Sequence, residues 1–111
     1  LYVAEQNGVV AGYASLSAYR EKEAFASTVE LSIYVAPECR RQGVAAALME
    51  FILQKARADA RTHNVVSVIT AGNEASIRLH ERFGFTFCGT VPEVGAKFGR
   101  LLDIDHYSLI V

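Results

Sequence analysis

The alternation of apolar and polar residues divides the chain into strands at both ends and helices in its middle. Strands are predicted at Leu1–Glu5, Val9–Tyr19, Phe25–Val35, Val65–Ala71, Phe85–Val91 and Leu101–Val111. Helices are predicted from Gly43 to about Ala60 and from the cap Asn73 to Gly84, and a loop is predicted at Pro92–Gly99.

Local signals support this order of elements. Asn7-Gly8 is typical of a two-residue hairpin turn, and Gly12 indicates a bulge or a close backbone approach in the second strand. The order β-β-β-α-β-α-β-β predicts an α+β fold with a mixed, mostly antiparallel sheet and helices on its faces. Since Phe25–Val35 and Val65–Ala71 are joined by a helix, they form its central parallel pair.

The second predicted helix is short and has two distinct stripes. Ala75, Leu79 and Phe83 form an apolar line that we expect to pack on the sheet. Asn73, Ser76 and His80 then lie on the opposite side, where they could line a cleft. The alternative is that Asn73 only caps the helix and His80 is solvated.

The composition restricts the possible functions. The chain has 111 residues, which is the usual size of one domain. Its net charge of −1 argues against broad nucleic-acid binding. Its two cysteines show no metal-ligand spacing and favour a reducing, cytoplasmic location. No apolar run is long enough for a membrane span, and the first residues do not show the pattern of a signal peptide. We expect no metal, no nucleic acid and no membrane among its partners.

A phosphate-binding turn is predicted between the third strand and the first helix. The segment Arg40-Arg41-Gln42-Gly43-Val44-Ala45 places glycine where backbone N–H groups and the helix dipole attract an anion. It is neither a Walker A loop nor a dinucleotide fingerprint. The alternative is an ordinary loop with two surface arginines.

Four segments together carry a family resemblance. The spacing Arg40-x-x-Gly43-x-Ala45 resembles the pyrophosphate motif of the GNAT acetyltransferases. The run from Asn73 to Phe85, with the strand from Thr28 to Val35 and the tail from Val94 to Asp103, resembles the phosphinothricin and methionine sulfoximine N-acetyltransferase branch. The resemblance implies acetyl-coenzyme A (acetyl-CoA) as co-substrate and a small amine, an amino acid or its analogue, as acceptor.

The resemblance also implies a set of cofactor contacts. The two parallel strands are expected to splay at their C-terminal ends and to admit pantetheine. The expected cofactor-binding residues are Ile33, Tyr34, Val35, Arg40, Arg41, Gln42, Gly43, Val44, Ala45, Ala46, Asn73 and Ser76.

Two residues are candidates for the chemistry. Glu30 stands in an otherwise apolar strand, where partial burial would suit a general base, and the matching glutamate of the branch has that role. The alternative is a solvent-facing strand position. His80 occupies the place of a tyrosine thought to protonate the thiolate of coenzyme A, although it could instead orient the acceptor. Cys39 lacks an adjacent activating group, which favours direct transfer.

Other interpretations stay open at this stage. The domain could bind acyl-coenzyme A without catalysis, or acetylate a polyamine or a protein amine. Relatives of this kind carry a further N-terminal segment, so we expect the domain of residues 1–111 to be N-terminally truncated. We also expect a homodimer, with Leu101–Val111 or the N-terminal face buried between subunits.

Overall fold

A computed structural model describes residues 1–39 and 43–111 of the chain. Its strands are β1 (Tyr2–Gln6), β2 (Val9–Ala18), β3 (Thr28–Val35), β4 (Asn64–Thr70), β5 (Thr86–Lys97) and β6 (Arg100–Ile110). Its helices are α1 (Val44–Ala58) and α2 (Glu74–Arg82), and short 3-10 turns lie at Glu23–Phe25 and Pro37–Cys39. The predicted order of strands and helices is confirmed.

The six strands form a single sheet in the order β1-β2-β3-β4-β6-β5. Only β3 and β4 are parallel, and the other neighbours are antiparallel. The predicted α+β fold with a mixed, mostly antiparallel sheet is therefore confirmed. Because β6 lies between β4 and β5, the last strand in sequence is interior and β5 is an edge.

The parallel pair separates at its C-terminal end. Pairing runs from Thr28 opposite Asn64 to Leu31 opposite Ser67. Beyond that point β3 continues to Val35 and β4 to Thr70, and β3 remains paired with β2. The expected splay is thus present, and it opens close to the start of α1.

Both helices contribute to one hydrophobic core. Leu48, Met49 and Ile52 of α1 are buried against the sheet together with Leu31 of β3. Leu31 pairs with Ser67, whose side chain contacts α2, and residues paired across a sheet point to the same side. Both helices therefore lie on one face of the sheet.

Gly12 allows β2 to approach β3 closely. A Cβ atom at this position would collide with the carbonyl oxygen of Tyr34, and it would lie 3.2 Å from Cδ1 of Leu48. The register of β1 and β2 also shifts opposite Gly12, between Ala4 and Glu5. Both the bulge and the close approach predicted for this glycine are present.

The loop predicted at Pro92–Gly99 is wrong. Strand β5 continues to Lys97, with a register shift between Val91 and Gly95, and the turn consists of Phe98 and Gly99 alone. Proline is tolerated here because β5 is an edge strand and the ladder is interrupted. The φ angles of Phe98 and Gly99 are 53° and 72°, as in the type I′ turns that join twisted strands.

Candidate functional site

A cavity of about 620 Å³ lies beside the splay of β3 and β4. Three elements form its walls: the end of β3, the first turn of α1 and the exposed side of α2. Its lining residues are Ile33, Tyr34, Val35, Gly43, Ala45, Ala46, Asn73, Ala75, Ser76, Arg78, Leu79 and Arg82. Eight of the twelve residues expected to contact a cofactor are therefore brought together here.

The start of α1 supplies an anion-binding wall. Gly43 is the N-cap, with a left-handed φ of 79°, and no described residue has an atom within 4 Å of where its Cβ would stand. Since glycine has no capping oxygen, the N–H groups of the first turn remain available to an external acceptor. The first turn carries no acidic side chain that would repel an anion. A phosphate can therefore approach the backbone and the positive end of the helix dipole.

The end of β3 supplies a backbone wall. Ile33 and Val35 lie beyond the last residue paired with β4, while β2 still pairs along their other side. Such an edge can accept an extended chain with amide groups as an added strand. Tyr34 is exposed and stacks on Tyr13 of β2 with ring centroids 5.5 Å apart, which stiffens this end of β3.

The first turn of α2 supplies the third wall. Asn73 is its N-cap, and its side-chain oxygen accepts the backbone N–H of Ser76 at 3.3 Å. The predicted cap is thus present, and both residues line the cavity. Ala75 and Leu79, which were expected to pack on the sheet, line it as well, although Leu79 and Phe83 of the same apolar line also pack, partly buried, against the core.

The expected position of His80 is wrong. Its side chain is buried, with 1% of the residue exposed, and it packs against the rings of Phe85 and Tyr107. Nε2 lies 2.7 Å from Oγ of Ser67, and Nδ1 lies 2.7 Å from the carbonyl oxygen of Ser76. The helix therefore turns this histidine toward the sheet, because its ring fills core volume and both ring nitrogens find partners there.

The hydrogen bonds and the burial of His80 together define its protonation state. A carbonyl oxygen only accepts, so Nδ1 carries a proton, and in the neutral ring Nε2 accepts the hydroxyl of Ser67. Burial lowers the pKa of His80 below its ordinary value, and the bond to the Ser76 carbonyl opposes that shift without reversing it. His80 is accordingly a neutral, buried imidazole, and its position does not suit a donor of protons to the cavity.

Glu30 directly precedes Leu31, the last residue of β3 that pairs with β4. It is half-buried in β3, opposite Ser17 of β2 and Val66 of β4. Since Leu31 points to the helices, Glu30 points to the other face of the sheet. It is three residues from Ile33, roughly 10 Å along the strand. The cavity lies on the helix side of the sheet. A group that passed from it between the separated strands would therefore reach Glu30 from the face opposite to that of its carboxylate.

Two cavity residues were missed by sequence reasoning. Arg78 and Arg82 stand one turn apart on α2 and give its exposed side a positive charge toward the cavity. Arg78 also contacts Glu74 at 3.7 Å, an exposed pair. Their four-residue spacing, with Arg78 three residues after Ala75, could have placed them on one face with Ala75 and Leu79.

Three of the expected site residues, Arg40, Arg41 and Gln42, lie outside the described residues. Val44 is described, but its side chain is in the core, so only its backbone could face a ligand. Among residues 1–39 and 43–111, no group of three metal-ligating side chains is found. Within the same ranges, neither helix has the length and hydropathy required to cross a bilayer.

The fold and this cavity define a class of protein: an α+β domain that can hold a phosphate at a helix N-terminus and an extended, amide-bearing chain at a strand edge. Residues 1–85 match the model of the Acetyltransferase (GNAT) family. The chain belongs to this family.

Comparisons with individual proteins agree with this assignment. An L-methionine sulfoximine/L-methionine sulfone acetyltransferase of Pseudomonas paraeruginosa is 42% identical over 109 residues, covering 98% of this chain and 63% of the relative. The chain thus spans less than two thirds of that relative's length.

Solved structures also resemble the chain. The ribosomal-protein-alanine N-acetyltransferase from Brucella melitensis superposes with a TM-score of 0.93 and 43% identity, covering 98% of this chain and 67% of that one. The phosphinothricin acetyltransferase from Sinorhizobium meliloti, solved with acetyl-CoA, superposes with a TM-score of 0.89 and 34% identity. The match covers 96% of this chain and 57% of that one.

Proposed function

We propose that this chain transfers an acetyl group from acetyl-CoA to the primary amine of an amino acid or an amino-acid analogue. One observation carries the proposal: a cavity joins the N-terminus of α1, the strand edge at Ile33–Val35 and the capped start of α2. Acetyl-CoA has a matching order of groups, with phosphates at one end and an amide-bearing chain ending in the thioester at the other.

The residues present fit this co-substrate. Gly43 and the N–H groups of Ala45 and Ala46 would hold the pyrophosphate, and the backbone of Ile33 and Val35 would pair with the pantetheine amides. When bound, acetyl-CoA supplies an activated carbonyl. Asn73 and Ser76 would support it from the opposite wall, and Arg40, Arg41 and Gln42 belong to the same proposal through their motif.

The chain's own groups would then perform the transfer. An amine reaches the site as an ammonium ion and cannot attack until it loses a proton. Glu30 would take that proton, directly or through a water molecule, from the face of the sheet opposite the helices. A backbone N–H at the end of β3 would donate to the developing oxyanion. No step in this scheme requires a metal.

We assign His80 to the site as a supporting residue rather than as the proton donor to the thiolate. Its neutral imidazole donates to Ser76 and accepts from Ser67, both inside the fold. Protonation of the leaving thiolate is then left to solvent.

The acceptor is proposed from the relatives. Relatives named for methionine sulfoximine and phosphinothricin favour an α-amino acid analogue. The neighbour named as a ribosomal-protein-alanine acetyltransferase supports a second candidate, the N-terminal amine of a protein.

Calorimetry with acetyl-CoA followed by turnover of a panel of amines separates these candidates. We expect methionine sulfoximine or phosphinothricin to react faster than spermidine, an aminoglycoside or an alanine-terminated peptide. Binding without turnover of any amine would leave an acyl-coenzyme A-binding module.

A matched pair of glycine variants tests the cofactor wall. Gly43 and Gly8 both have a φ of 79°, and no atom of residues 1–39 or 43–111 lies within 4 Å of the place that a Cβ would occupy, but only Gly43 lines the cavity. Gly43→Glu should abolish acetyl-CoA binding by filling the phosphate seat with a negative charge. Gly8→Glu introduces the same backbone strain at a distant hairpin and should bind normally. Equal affinity of the two variants would contradict the proposed site.

We further propose a cytoplasmic homodimer that acts on small molecules without nucleic acid or membrane. Both cysteines, Cys39 and Cys88, are unpaired thiols, which suits a reducing compartment. Since β6 is paired on both sides, a second subunit could extend the sheet only at β5 or β1. Edge strands of this kind are natural pairing sites.

A further inference from the structure

We propose that Ser67 is a positioning residue whose hydroxyl, acting through His80, holds the first turn of α2 against the sheet and so sets the width of the cavity. The proposal rests on the proposed function, since that cavity is taken to hold acetyl-CoA. Ser67 itself touches neither the cavity nor any reacting group. Its effect would pass through two hydrogen bonds.

The first bond ties α2 to the point where the sheet opens. Ser67 is the last residue of β4 paired with β3, opposite Leu31, and it is 3% exposed. Its Oγ lies 2.7 Å from Nε2 of His80, thirteen residues later in the chain. A buried side-chain bond therefore joins the splay point to the helix that faces it.

The second bond carries the constraint to the cavity wall. Nδ1 of His80 lies 2.7 Å from the carbonyl oxygen of Ser76, and Ser76 lines the cavity beside its cap Asn73. Because the carbonyl can only accept, the donors point one way: Ser67 hydroxyl to His80, and His80 to Ser76. The imidazole thus acts as a strut of fixed length between β4 and the first turn of α2.

Packing alone does not account for this pair. His80 contacts Phe85 at a ring distance of 4.9 Å, and an apolar ring could fill the same space without burying two polar side chains. Ser67 likewise interrupts an apolar strand between Val66 and Val68. Hydrogen bonds have preferred distances and angles, whereas hydrophobic contact is non-directional. The two hydrogen bonds of His80 can therefore hold the start of α2 at a defined distance from the sheet.

The test compares Ser67→Ala, Ser67→Thr and the control Ile69→Val. Ser67→Ala removes the hydroxyl, and Ser67→Thr restores it. Ile69 lies two residues along the same face of β4 and is also buried, so Ile69→Val removes core volume while leaving both hydrogen-bond partners of His80 in place. Acetyl-CoA affinity is measured by calorimetry. Hydrogen exchange of the Ile77 amide, which donates to the carbonyl of Asn73, reports on the first turn of α2.

We expect Ser67→Ala to bind acetyl-CoA roughly two- to tenfold more weakly, the range spanned by one neutral hydrogen bond, and to exchange the Ile77 amide faster. Ser67→Thr and Ile69→Val should remain near the wild type in both measurements. Nitrogen NMR of the His80 ring should show the Nδ1–H tautomer in the wild type and a displaced Nε2 resonance in Ser67→Ala alone. The ring signal depends on folding only, so it is informative whatever the ligand does.

The possible failures can be told apart. If the wild type binds acetyl-CoA and Ser67→Ala binds it equally well, the inference is overturned while the proposed function stands. An Nε2–H tautomer in the wild type, or weakening by Ile69→Val as large as by Ser67→Ala, also overturns it. If the wild type does not bind acetyl-CoA although His80 shows the expected tautomer, the proposed function fails and the positioning role falls with it.

Discussion

Leu31 of β3 and Ser67 of β4 form the last pair at which the two parallel strands are joined. Beyond this pair β3 is held from one side only, by its antiparallel register with β2, which ends with Gly12 opposite Val35. The strand edge in the cavity is therefore positioned by β2 as much as by β4. Residues that never touch a ligand can affect binding through this support.

Gly12→Ala tests that support. The added Cβ would collide with the Tyr34 carbonyl and approach Cδ1 of Leu48 to 3.2 Å, so β2 must move away from the end of β3. We expect a loss of about 1–3 kcal/mol in the free energy of unfolding, as for other overpacked sites. Acetyl-CoA affinity should also fall. Chemical denaturation and calorimetry measure the two effects.

A second strand glycine provides the control for that variant. A Cβ at Gly95 in β5 would lie 3.6 Å from Cβ of Leu102, an ordinary contact. Gly95→Ala should therefore leave both stability and affinity close to those of the wild type. A Gly12→Ala variant as stable as Gly95→Ala would show that the end of β3 is not held by this close approach.

Glu30→Gln tests the proposed general base. The amide keeps the size of the side chain but cannot accept a proton from an ammonium ion. With a verified acceptor, we expect kcat to fall by roughly 10²–10⁴-fold while acetyl-CoA affinity stays nearly unchanged. Glu50→Gln, on the exposed side of α1, is the control and should keep full activity. A kcat that is unaltered across the pH range would exclude the role.

Arg78 and Arg82 predict a preference for the full coenzyme. Both arginines line the cavity, and acetyl-CoA carries a 3′-phosphate that dephospho-coenzyme A lacks. Each Arg→Ala variant should bind acetyl-CoA roughly two- to fivefold more weakly, the effect of an exposed ion pair, and the difference should shrink at high salt. Arg57→Ala, in the last turn of α1, is the control. An unchanged preference for acetyl-CoA over its dephospho form in the double variant would contradict this role.

The sequence predicted the elements of the fold well because their signals are local. Asn7-Gly8, the helical spacing in α1 and the cap at Asn73 each depend on a few neighbouring residues. Strand β5 was cut short because Pro92 usually ends a strand, and its tolerance depends on an edge position that only the sheet order reveals.

The candidate site was predicted less completely, because its geometry depends on long-range contacts. The nine residues of α2 offer two possible inward faces, and the apolar line of Ala75, Leu79 and Phe83 predicts one of them. In the structure Leu79 and Phe83 pack against the core, but Ala75 is exposed at the cavity and His80 is the buried residue of the helix. Its partner Ser67 precedes it by thirteen residues on another element, and no helical spacing could have linked them.

The pH dependence of stability tests the buried state of His80. Burial holds its pKa below the ordinary 6.5, so as the pH falls the unfolded chain takes up a proton before the folded chain does. The contribution of the neutral His80 to the free energy of unfolding is therefore fully present above about pH 6.5. It is lost as the pH falls from there toward the lowered pKa of the folded state. Tyr107, which packs on the ring, does not titrate in this window, because burial and then the charges of Glu81 and Asp105 raise its pKa.

Denaturation curves from pH 8 to pH 5 for the wild type, His80→Gln and His63→Gln measure this contribution. His63 is exposed, so its variant should keep the wild-type pH dependence. The slope below about pH 6.5 should flatten in His80→Gln alone. Parallel curves for all three proteins would show that His80 is not held neutral by the fold.

The edge of the sheet at β5 predicts how two subunits would meet. The β5–β6 hairpin carries Val94, Phe98 and Leu101, which are 54%, 90% and 63% exposed. Large apolar side chains beside an unpaired strand edge are typical of an association surface. Light scattering at micromolar concentration should therefore give the mass of a dimer.

Phe98→Asp should raise the dimer dissociation constant roughly tenfold or more, as for the loss of a central aromatic contact. Val9→Asp makes the same change on the β1–β2 hairpin at the opposite end of the sheet, and it should leave the dimer intact. A wild-type monomer would contradict the homodimer, and dissociation by Val9→Asp instead of Phe98→Asp would move the interface to the β1 edge.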